Sequence, residues 1–258
     1  LLSGGYLLLN GADTFAGGTV DGSKFLYTEG TTTVSGLTIG GTVEWENSKT
    51  VDQSGDVTLG GRIAADKAIL FDTANATYDI LDNSGIERGS STATYIDNAG
   101  KFEKTGGTGT STIAPYVINT GKIEVSAGKL DFREGIYGTG SDTISGFATL
   151  EFDAKVLAGQ TVFFTGMGGE FALKEAEDFH ALIRSFGAGG AHDSIDAMNF
   201  VHDATTFSFS ENRAHTLATL TLKDGADVAH FDLSGDYVRS DFKVGADIAG
   251  TGTLIKFV

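Results

Sequence analysis

The chain of 258 residues has no cysteine, one proline and one tryptophan, and it contains no long apolar run. The lack of cysteine excludes disulfide scaffolds, thiolate metal sites and cysteine nucleophiles. Since a membrane-spanning helix needs about 20 apolar residues, no membrane insertion is predicted. HExxH, GxSxG and GxGxxG motifs are also missing, so the sequence indicates no catalytic motif and no cofactor.

Basic residues are scarce as well. Lys and Arg number 18 against 34 Asp and Glu, which gives a formal net charge of −16. Phosphate binding needs clustered Lys and Arg, so nucleic acid and anionic membranes are not predicted as partners. The excess of carboxylates suits a solvated surface and leaves divalent cations as possible ligands.

Glycine is abundant, with 37 residues, and it recurs at spacings near twenty. "GGTV" stands at 17–20 and again at 40–43, "GGRI" stands at 60–63, and Gly85, Gly100 and Gly121 continue the series. A second pair of segments, "KLDF" at 129–132 and "TLEF" at 149–152, is twenty residues apart. A persistent period of this length predicts a solenoid.

The local pattern predicts strands. Apolar and polar residues alternate in short segments such as 43–45, 57–59 and 123–125, and no amphipathic helix interrupts residues 1–170. We therefore predict an all-β fold in which coils of about 20 residues form a parallel β-helix over residues 1–172. Leu130 should stack on Leu150, and Phe132 on Phe152.

Residues 173–258 are predicted to cap the solenoid. The stretch 174–184 ("KEAEDFHALIR") has acidic residues first and Arg last, which indicates one short helix. Residues 217–233 alternate on both sides of Asp224-Gly225, which predicts an antiparallel hairpin.

Three segments share the pattern Asn-x-Gly followed by an apolar residue and Glu. They begin at Asn83, Asn98 and Asn119, with Gly85, Gly100 and Gly121 two positions later. Because Asn and Gly tolerate positive φ, we interpret these residues as corners of the coils. In "NTGKIEV" (119–125), Ile123 should enter the core and Glu124 should face water, and stacked Asn side chains could share hydrogen bonds.

Residues 82–132, with the segments 159–173, 185–200 and 218–255, resemble the repeat regions of large secreted or surface bacterial proteins. These include autotransporter passengers, filamentous-haemagglutinin-like adhesins and repetitive type I-secreted proteins. The resemblance implies a β-helical fold and an extracellular or cell-surface location in a Gram-negative bacterium. It transfers no catalytic residue.

Two groups of carboxylates are candidate sites. "GGAHDSID" (189–196) is similar to a calcium-binding nonapeptide, which proposes Gly189, Asp193 and Asp196 as calcium ligands. The middle glycine of that motif is missing and only one copy occurs, so a polar turn is favoured. Asp131 and Glu151 should be neighbours on adjacent coils, near Arg133 or Lys155. Such carboxylates serve in polysaccharide lyases and hydrolases, or they form a solvated strand face.

Three further features carry alternatives. The five histidines all lie after residue 179 and show no i, i+4 pair, so scattered surface histidines are expected rather than a metal site. Trp45 and Tyr78 or Tyr95 are candidates for stacking sugars, although core packing is favoured for each. The strand "YLLLN" (6–10), with Tyr6, Leu7, Leu8 and Leu9, should pair with the first coil or with another molecule.

These patterns predict a structural or adhesive β-helix, secreted or at the cell surface, that assembles with itself into a filament, surface layer or matrix. A glycan or host-surface ligand is the other expected partner. The alternative is a carbohydrate-active enzyme, either a polysaccharide lyase or a glycoside hydrolase.

Overall fold

The computed structural model describes residues 5–190 and 192–258 and shows an all-β protein. It is a parallel β-solenoid of about nine turns that ends in antiparallel strands. The predicted fold class is thus confirmed. In the described part of the chain, no helix is long and apolar enough to cross a membrane.

The strands are short and follow one another through tight turns. In chain order they are β1 Leu7–Leu9, β2 Ala12–Val20, β3 Phe25–Thr28, β4 Thr31–Ile39, β5 Glu44–Asn47, β6 Thr50–Gln53, β7 Val57–Leu59, β8 Ile69–Asp72, β9 Thr77–Ile80, β10 Ile86–Arg88, β11 Tyr95–Asn98, β12 Lys101–Lys104, β13 Thr110–Ile113, β14 Tyr116–Asn119, β15 Lys122–Val125, β16 Lys129–Phe132, β17 Ile136–Tyr137, β18 Ser141–Ser145, β19 Thr149–Phe152, β20 Thr161–Thr165, β21 Glu170–Leu173, β22 Leu182–Arg184, β23 Ser194–Ala197, β24 Thr206–Glu211, β25 Leu217–Asp224, β26 Asp227–Ser234, β27 Phe242–Ala246 and β28 Thr253–Phe257.

Each coil contributes strands to three faces. Face 1 is the seven-stranded parallel sheet β1-β3-β5-β8-β11-β14-β17. Face 2 carries β6, β9, β12, β15, β18, β20 and β22, and face 3 carries β7, β10, β13, β16, β19, β21 and β23. The long strands β2 and β4 serve both faces 2 and 3 and bend between them at Gly17 and Gly36, where φ is 96° and 67°. Only glycine adopts such values readily.

The register explains the repeat. Leu7 pairs with Leu26, and Val57 pairs with Ile86, so a coil takes between 19 and 29 residues. Side chains at alternate positions point inward and stack on the same position of the next coil. Leu130 pairs with Leu150 and is fully buried, as predicted. Burying each such side chain contributes about 1.5–3 kcal/mol.

The C-terminal end of the solenoid is covered by antiparallel strands. β26 pairs with β22 in parallel and β28 pairs with β23 antiparallel, and the antiparallel three-stranded unit β24–β25–β26 and the hairpin β27–β28 complete the cap. The hairpin over 217–233 is confirmed, with Gly225 at φ 59° in its turn. Parallel pairing continues through β22 and β23, so the last coil lies beyond residue 172.

The helix expected over 174–184 is limited to one 3₁₀ turn, Ala176–Asp178, followed by β22. Phe179, Ala181 and Ile183 are buried while His180 and Arg184 are exposed. That alternation has period two, which suits a strand, and it outweighs the helix-like order of the charges.

A column of polar side chains runs inside the solenoid, at the last position of successive face 1 strands. Thr28, Asn47, Asp72, Asn98 and Asn119 occupy it, and all are fully buried. Asn47 Nδ2 donates to Asp72 Oδ1 at 2.9 Å, and Asn98 Nδ2 donates to Asn119 Oδ1 at 2.9 Å. The predicted hydrogen bonding between stacked Asn side chains is therefore present.

Between these two pairs, Asp72 Oδ2 and Asn98 Oδ1 are buried without a hydrogen-bond partner. Burial raises the pKa of Asp72 to about 7, against the opposing hydrogen bond from Asn47. A proton on Oδ2 makes this atom a donor on the strand next to Asn98. When Asp72 is protonated, each side chain from Asn47 to Asn98 can donate a hydrogen bond to the next side chain of the column.

The column also corrects the interpretation of the Asn-x-Gly segments. Asn98 and Asn119 end strands and point inward, and neither they nor Gly100 and Gly121 have positive φ. The glycines are needed for close approach, because a Cβ on Gly121 would lie 2.2 Å from the carbonyl oxygen of Gly100. Ile123 is buried in the core as predicted.

The segment at Asn83 is not equivalent to the other two. Asn83 is exposed on a bend, and its Oδ1 accepts a hydrogen bond from the Gly109 amide at 2.7 Å. Gly85 precedes a face 3 strand, and a Cβ there would lie 2.3 Å from the Thr112 carbonyl oxygen. The glycine series thus combines positions from different corners of the coil.

Candidate functional site

The outer surface of face 1 carries an unusual share of aromatic and apolar side chains. Alternate positions of its parallel strands point outward and form two columns. The apolar members of these columns are Leu8, Phe25, Tyr27, Ile69, Phe71, Tyr95, Tyr116, Ile118 and Tyr137. All are exposed or partly exposed, so this sheet presents an apolar surface to solvent.

The tyrosines of β11, β14 and β17 form a continuous aromatic row. Tyr95 and Tyr116 are stacked, with ring centroids 5.2 Å apart and planes inclined by 14°. Tyr116 and Tyr137 meet edge to face at 6.1 Å. Nearer the N-terminus, Phe25 and Tyr27 are stacked at 5.5 Å. Neighbouring strands lie about 4.8 Å apart, so the two groups are separated by about 14 Å along the sheet.

Carboxylates stand among these rings. Glu44 and Glu46 project from β5 and Asp97 from β11, in the same outward columns. A surface depression of about 420 Å³ is lined by Tyr116, Ile118, Glu134 and Tyr137. Ring faces beside hydrogen-bond acceptors suit a ligand with apolar faces and many hydroxyl groups.

Burial raises the pKa values of Tyr95 and Tyr116. The neighbouring Tyr116 and Asp97 raise the pKa of Tyr95 further, and Tyr137 does the same for Tyr116. Their phenol groups therefore remain protonated at neutral pH and can donate hydrogen bonds. The site thus combines donors and acceptors around flat apolar rings.

Of the aromatic candidates from the sequence, only Tyr95 belongs to this surface. Trp45 and Tyr78 are fully buried, where they meet edge to face at 5.9 Å. Sequence reasoning missed Tyr116 and Tyr137. A signal for Tyr116 was present, because "YIDN" (95–98) and "YVIN" (116–119) repeat at 21 residues and place Tyr95 and Tyr116 in one column.

A second group of polar side chains lies on face 3. Asp131 and Glu151 are register partners, as predicted. They are not solvated, however, because only 2% and 4% of their surfaces are exposed. Lys129 and Lys174 contact Glu151 at 2.7 and 3.0 Å, and Arg133 contacts Asp131 at 2.9 Å.

Asp131, Glu151 and Asp153 bring three carboxylates within 4.8 Å of one another. Arg133 and Lys174 also contact Asp153, at 3.5 and 2.6 Å. These cations already occupy the space between the carboxylates, so the cluster is an ion-pair network. Lys155, proposed as an alternative to Arg133, is exposed and forms none of these pairs.

Beside this network, Glu151, Glu170, Asp196 and Asp247 line a cleft of about 320 Å³ together with Lys129. Burial raises the pKa of Asp196 to about 7, and Glu170, Asp247 and Glu151 add to the rise. The pKa of Glu151 is lowered, because hydrogen bonds from Lys129 and Lys174 outweigh the opposing effect of burial.

The proposed calcium ligands are placed differently. Asp193 is 1% exposed, and its Oδ1 accepts hydrogen bonds from the Gly168 and Gly169 amides, each at 3.0 Å. Its Oδ2 accepts from the Gly187 amide at 2.9 Å. Gly189 packs against the Gly166 backbone, and Asp196 lies in the face 3 cleft. Asp193 thus links the backbone at residues 168–169 to the backbone at Gly187 through hydrogen bonds.

Among the described residues, β1 is the first strand of the solenoid. Leu7, Leu8 and Leu9 form β1, which pairs with β3 of the same chain, as one of the two alternatives predicted. Tyr6 is 65% exposed and meets Tyr27 edge to face at 5.7 Å.

Comparison of the chain with protein-family models gives no match, and no curated protein matches it. The fold therefore defines the class, a parallel β-solenoid with a C-terminal antiparallel cap.

Proposed function

We propose that this chain is a structural and adhesive β-solenoid, secreted by or displayed on a Gram-negative bacterium, which binds glycans through face 1. The observation that carries the proposal is the row of outward-facing tyrosines, the partly exposed Tyr95 and Tyr116 and the exposed Tyr137, with carboxylates beside it. The likeness to repeat regions of secreted proteins supports the location.

The charge of the molecule selects among ligands that stack on aromatic rings. Single-stranded nucleic acids also use such platforms, but they need a basic groove for the phosphates. Here Glu44, Glu46 and Asp97 stand among the rings and the net charge is −16. Neutral polysaccharides present apolar ring faces and hydroxyl groups without phosphate, and they fit this surface better.

The test is binding to a panel of soluble and insoluble polysaccharides by the intact chain and by the variant Tyr95→Ala/Tyr116→Ala/Tyr137→Ala. Each lost ring should cost about 0.5–1.5 kcal/mol beyond area burial. We therefore expect the triple variant to lose at least tenfold in affinity. Phe147→Ala is the matched control, because Phe147 is 78% exposed but lies outside face 1.

Equal binding by the triple variant and the intact chain would refute the role of face 1, and so would an equal loss in Phe147→Ala. Failure of the whole panel to bind would refute the glycan proposal itself. Circular dichroism confirms that each variant keeps its strands.

Self-assembly is the second part of the proposal. Within the described residues, β1 and β2 pair only with β3 and β4, so one edge of each strand is free. These strands contain a single charged residue, Asp13, in a chain of high net charge. Because the cap covers the other end, we propose pairing of two chains through these free edges, in preference to head-to-tail stacking.

A carbohydrate-active enzyme, either a lyase or a hydrolase, is the second candidate function. The face 3 cleft favours it, because Glu151 and Asp196 line one cleft and their pKa values are displaced in opposite directions. Such a pair suits a general base and a general acid. Release of reducing ends or unsaturated products from the same panel tests it. Activity should fall at least 100-fold in Glu151→Gln and in Asp196→Asn, and no product from any polysaccharide would refute it.

A further inference from the structure

Three metal-binding side chains meet in the cap, far from the motifs that the sequence singled out. Glu211 is the last residue of β24, His215 lies in the turn before β25, and Asp236 follows β26. Each offers one ligand atom, and the three atoms lie within 4.8 Å of one another. The chain thus brings an imidazole and two carboxylates together from three separate positions.

His215 and Glu211 are already in direct contact, and Asp236 lies slightly farther away. His215 Nδ1 lies 2.5 Å from Glu211 Oε2 and 3.8 Å from Asp236 Oδ1. In a tetrahedral zinc site with bonds of about 2.0–2.1 Å, the ligand atoms are about 3.3 Å apart. The observed separations fall on either side of that value. A metal that replaces the direct contact between His215 Nδ1 and Glu211 Oε2 would therefore move these two atoms apart by about 0.8 Å.

The backbone around the three ligands is held in place. Glu211 Oε1 accepts a hydrogen bond from the Tyr237 amide at 3.3 Å, so Oε2, which contacts His215 Nδ1, is the oxygen that would bind the metal in place of that contact. Tyr237 is 8% exposed, and its hydroxyl donates to the Phe186 carbonyl oxygen at 3.1 Å. The residue next to Asp236 is thus anchored in the core of the cap.

The turn that carries His215 is equally constrained. Asn212 Oδ1 accepts a hydrogen bond from the Thr216 amide at 3.0 Å, and the His215 amide donates to the Asn212 carbonyl oxygen at 3.1 Å. His215 has φ 54°, in the left-handed region. Hydrogen bonds that orient ligands in advance raise the affinity of a metal site.

We propose that Glu211, His215 and Asp236 bind one divalent transition-metal ion of the zinc type, with water completing its coordination. An imidazole ligand favours zinc over calcium, which takes six to eight oxygen ligands. Two carboxylates and a neutral imidazole balance the charge of the ion. The bound metal links the β24–β25 turn to the loop after β26 and so stabilises the cap.

The test uses the full chain without a histidine tag, freed of metal by a chelator. Calorimetric titration with Zn²⁺ should show one site per chain, and Co²⁺ should give visible absorption bands. We expect at least tenfold weaker Zn²⁺ binding for His215→Ala and for Asp236→Asn. Zn²⁺ should also raise the thermal midpoint of the intact chain but not those of the two variants.

His230→Ala is the matched control, because His230 is exposed on β26 with Thr221 as its hydrogen-bond partner. It should bind Zn²⁺ like the intact chain. The proposal is overturned if the intact chain binds no Zn²⁺, if His215→Ala and Asp236→Asn bind as tightly as the intact chain, or if His230→Ala loses the site. Since both substituted side chains are largely exposed, the variants should fold.

Discussion

Asp193 accepts hydrogen bonds from three backbone amides, of which the Gly169 amide is buried and the Gly168 and Gly187 amides are partly buried. Hydrogen bonds to a charged acceptor contribute about 1.5–3 kcal/mol each, and unsatisfied buried donors are costly. The order of Gly189, Gly190 and Asp193 is similar to that of a calcium-binding nonapeptide. The amides that bond to Asp193 belong to other glycines, Gly168, Gly169 and Gly187, and Gly189 packs closely on the Gly166 backbone, so the motif describes a turn.

We predict that Asp193→Ala lowers the free energy of unfolding by about 3 kcal/mol or more, and Asp193→Asn by about half as much, since Asn keeps one acceptor oxygen. Urea denaturation measures both. Exposed Asp203→Ala should change stability by less than about 0.5 kcal/mol. A loss that appears only when calcium is present would contradict this role for Asp193.

The alternation of residues along each strand predicts which side chains point inward, although no motif indicates it. Trp45 lies between Glu44 and Glu46, so alternation places its ring inside if the acids are outside. The same parity puts Tyr95 outside with Asp97. The site of His215 could not be found in this way, because Asp236 is 21 positions distant and only the hairpin brings it near.

At the scale of the structural elements, the buried polar column links the strands of face 1 to the following coils. Asn119 Nδ2 donates to Asp142 Oδ1 at 3.1 Å and to Gln160 Oε1 at 3.1 Å. Asp142 is fully buried, its Oδ2 has no partner, and burial raises its pKa to about 8. The column is therefore most stable when this carboxyl group is neutral.

We predict that Asp142→Asn stabilises the protein increasingly as pH rises from about 4 to about 8. The unfolded chain loses this proton near pH 3.9, whereas the folded chain keeps it up to about pH 8. Over that interval, the free energy of unfolding of the natural chain falls by about 1.4 kcal/mol per pH unit from this group alone. The asparagine variant lacks this loss.

Urea denaturation at pH 4, 6 and 8 measures the difference between Asp142→Asn and the natural chain. Exposed Asp203→Asn is the control and should show no such trend. A difference in stability that is constant with pH, or that grows toward acid, would contradict the buried neutral state of Asp142.

Elements were predictable where alternation and spacing agree, as in the stacked strands β16 and β19. They were mispredicted where charges and apolar residues gave different signals, as in 174–184. The glycine corners show a third case. Their spacing was evident, but whether a glycine serves positive φ or close approach depends on the neighbouring coil, which a single segment does not contain.

At the scale of the whole molecule, the two ends of the solenoid differ. Antiparallel strands cover the C-terminal end, and the first coil presents free strand edges among the described residues. Such edges pair readily with other strands.

We predict that the chain forms pairs through β1 and β2, and that the double variant Leu8→Lys/Thr14→Lys, which places a charge on each of these exposed edge strands, forms monomers. Light scattering after size-exclusion chromatography distinguishes the two. Deletion of residues 247–250, in the exposed loop between β27 and β28, is the control and should leave the pairs intact. Pairs that persist in the first variant, or monomers in the natural chain, would contradict the prediction.

From the bent strands at Gly17 and Gly36 onward, successive coils stack one strand spacing apart. The solenoid can therefore be divided into units of equal height. One added or removed coil would lengthen or shorten face 1 by about 4.8 Å. The coils away from that point would keep their hydrogen bonds. The reach of such a molecule is therefore an adjustable quantity. It can change through duplication of some twenty codons, while the cap and its chemistry stay as they are.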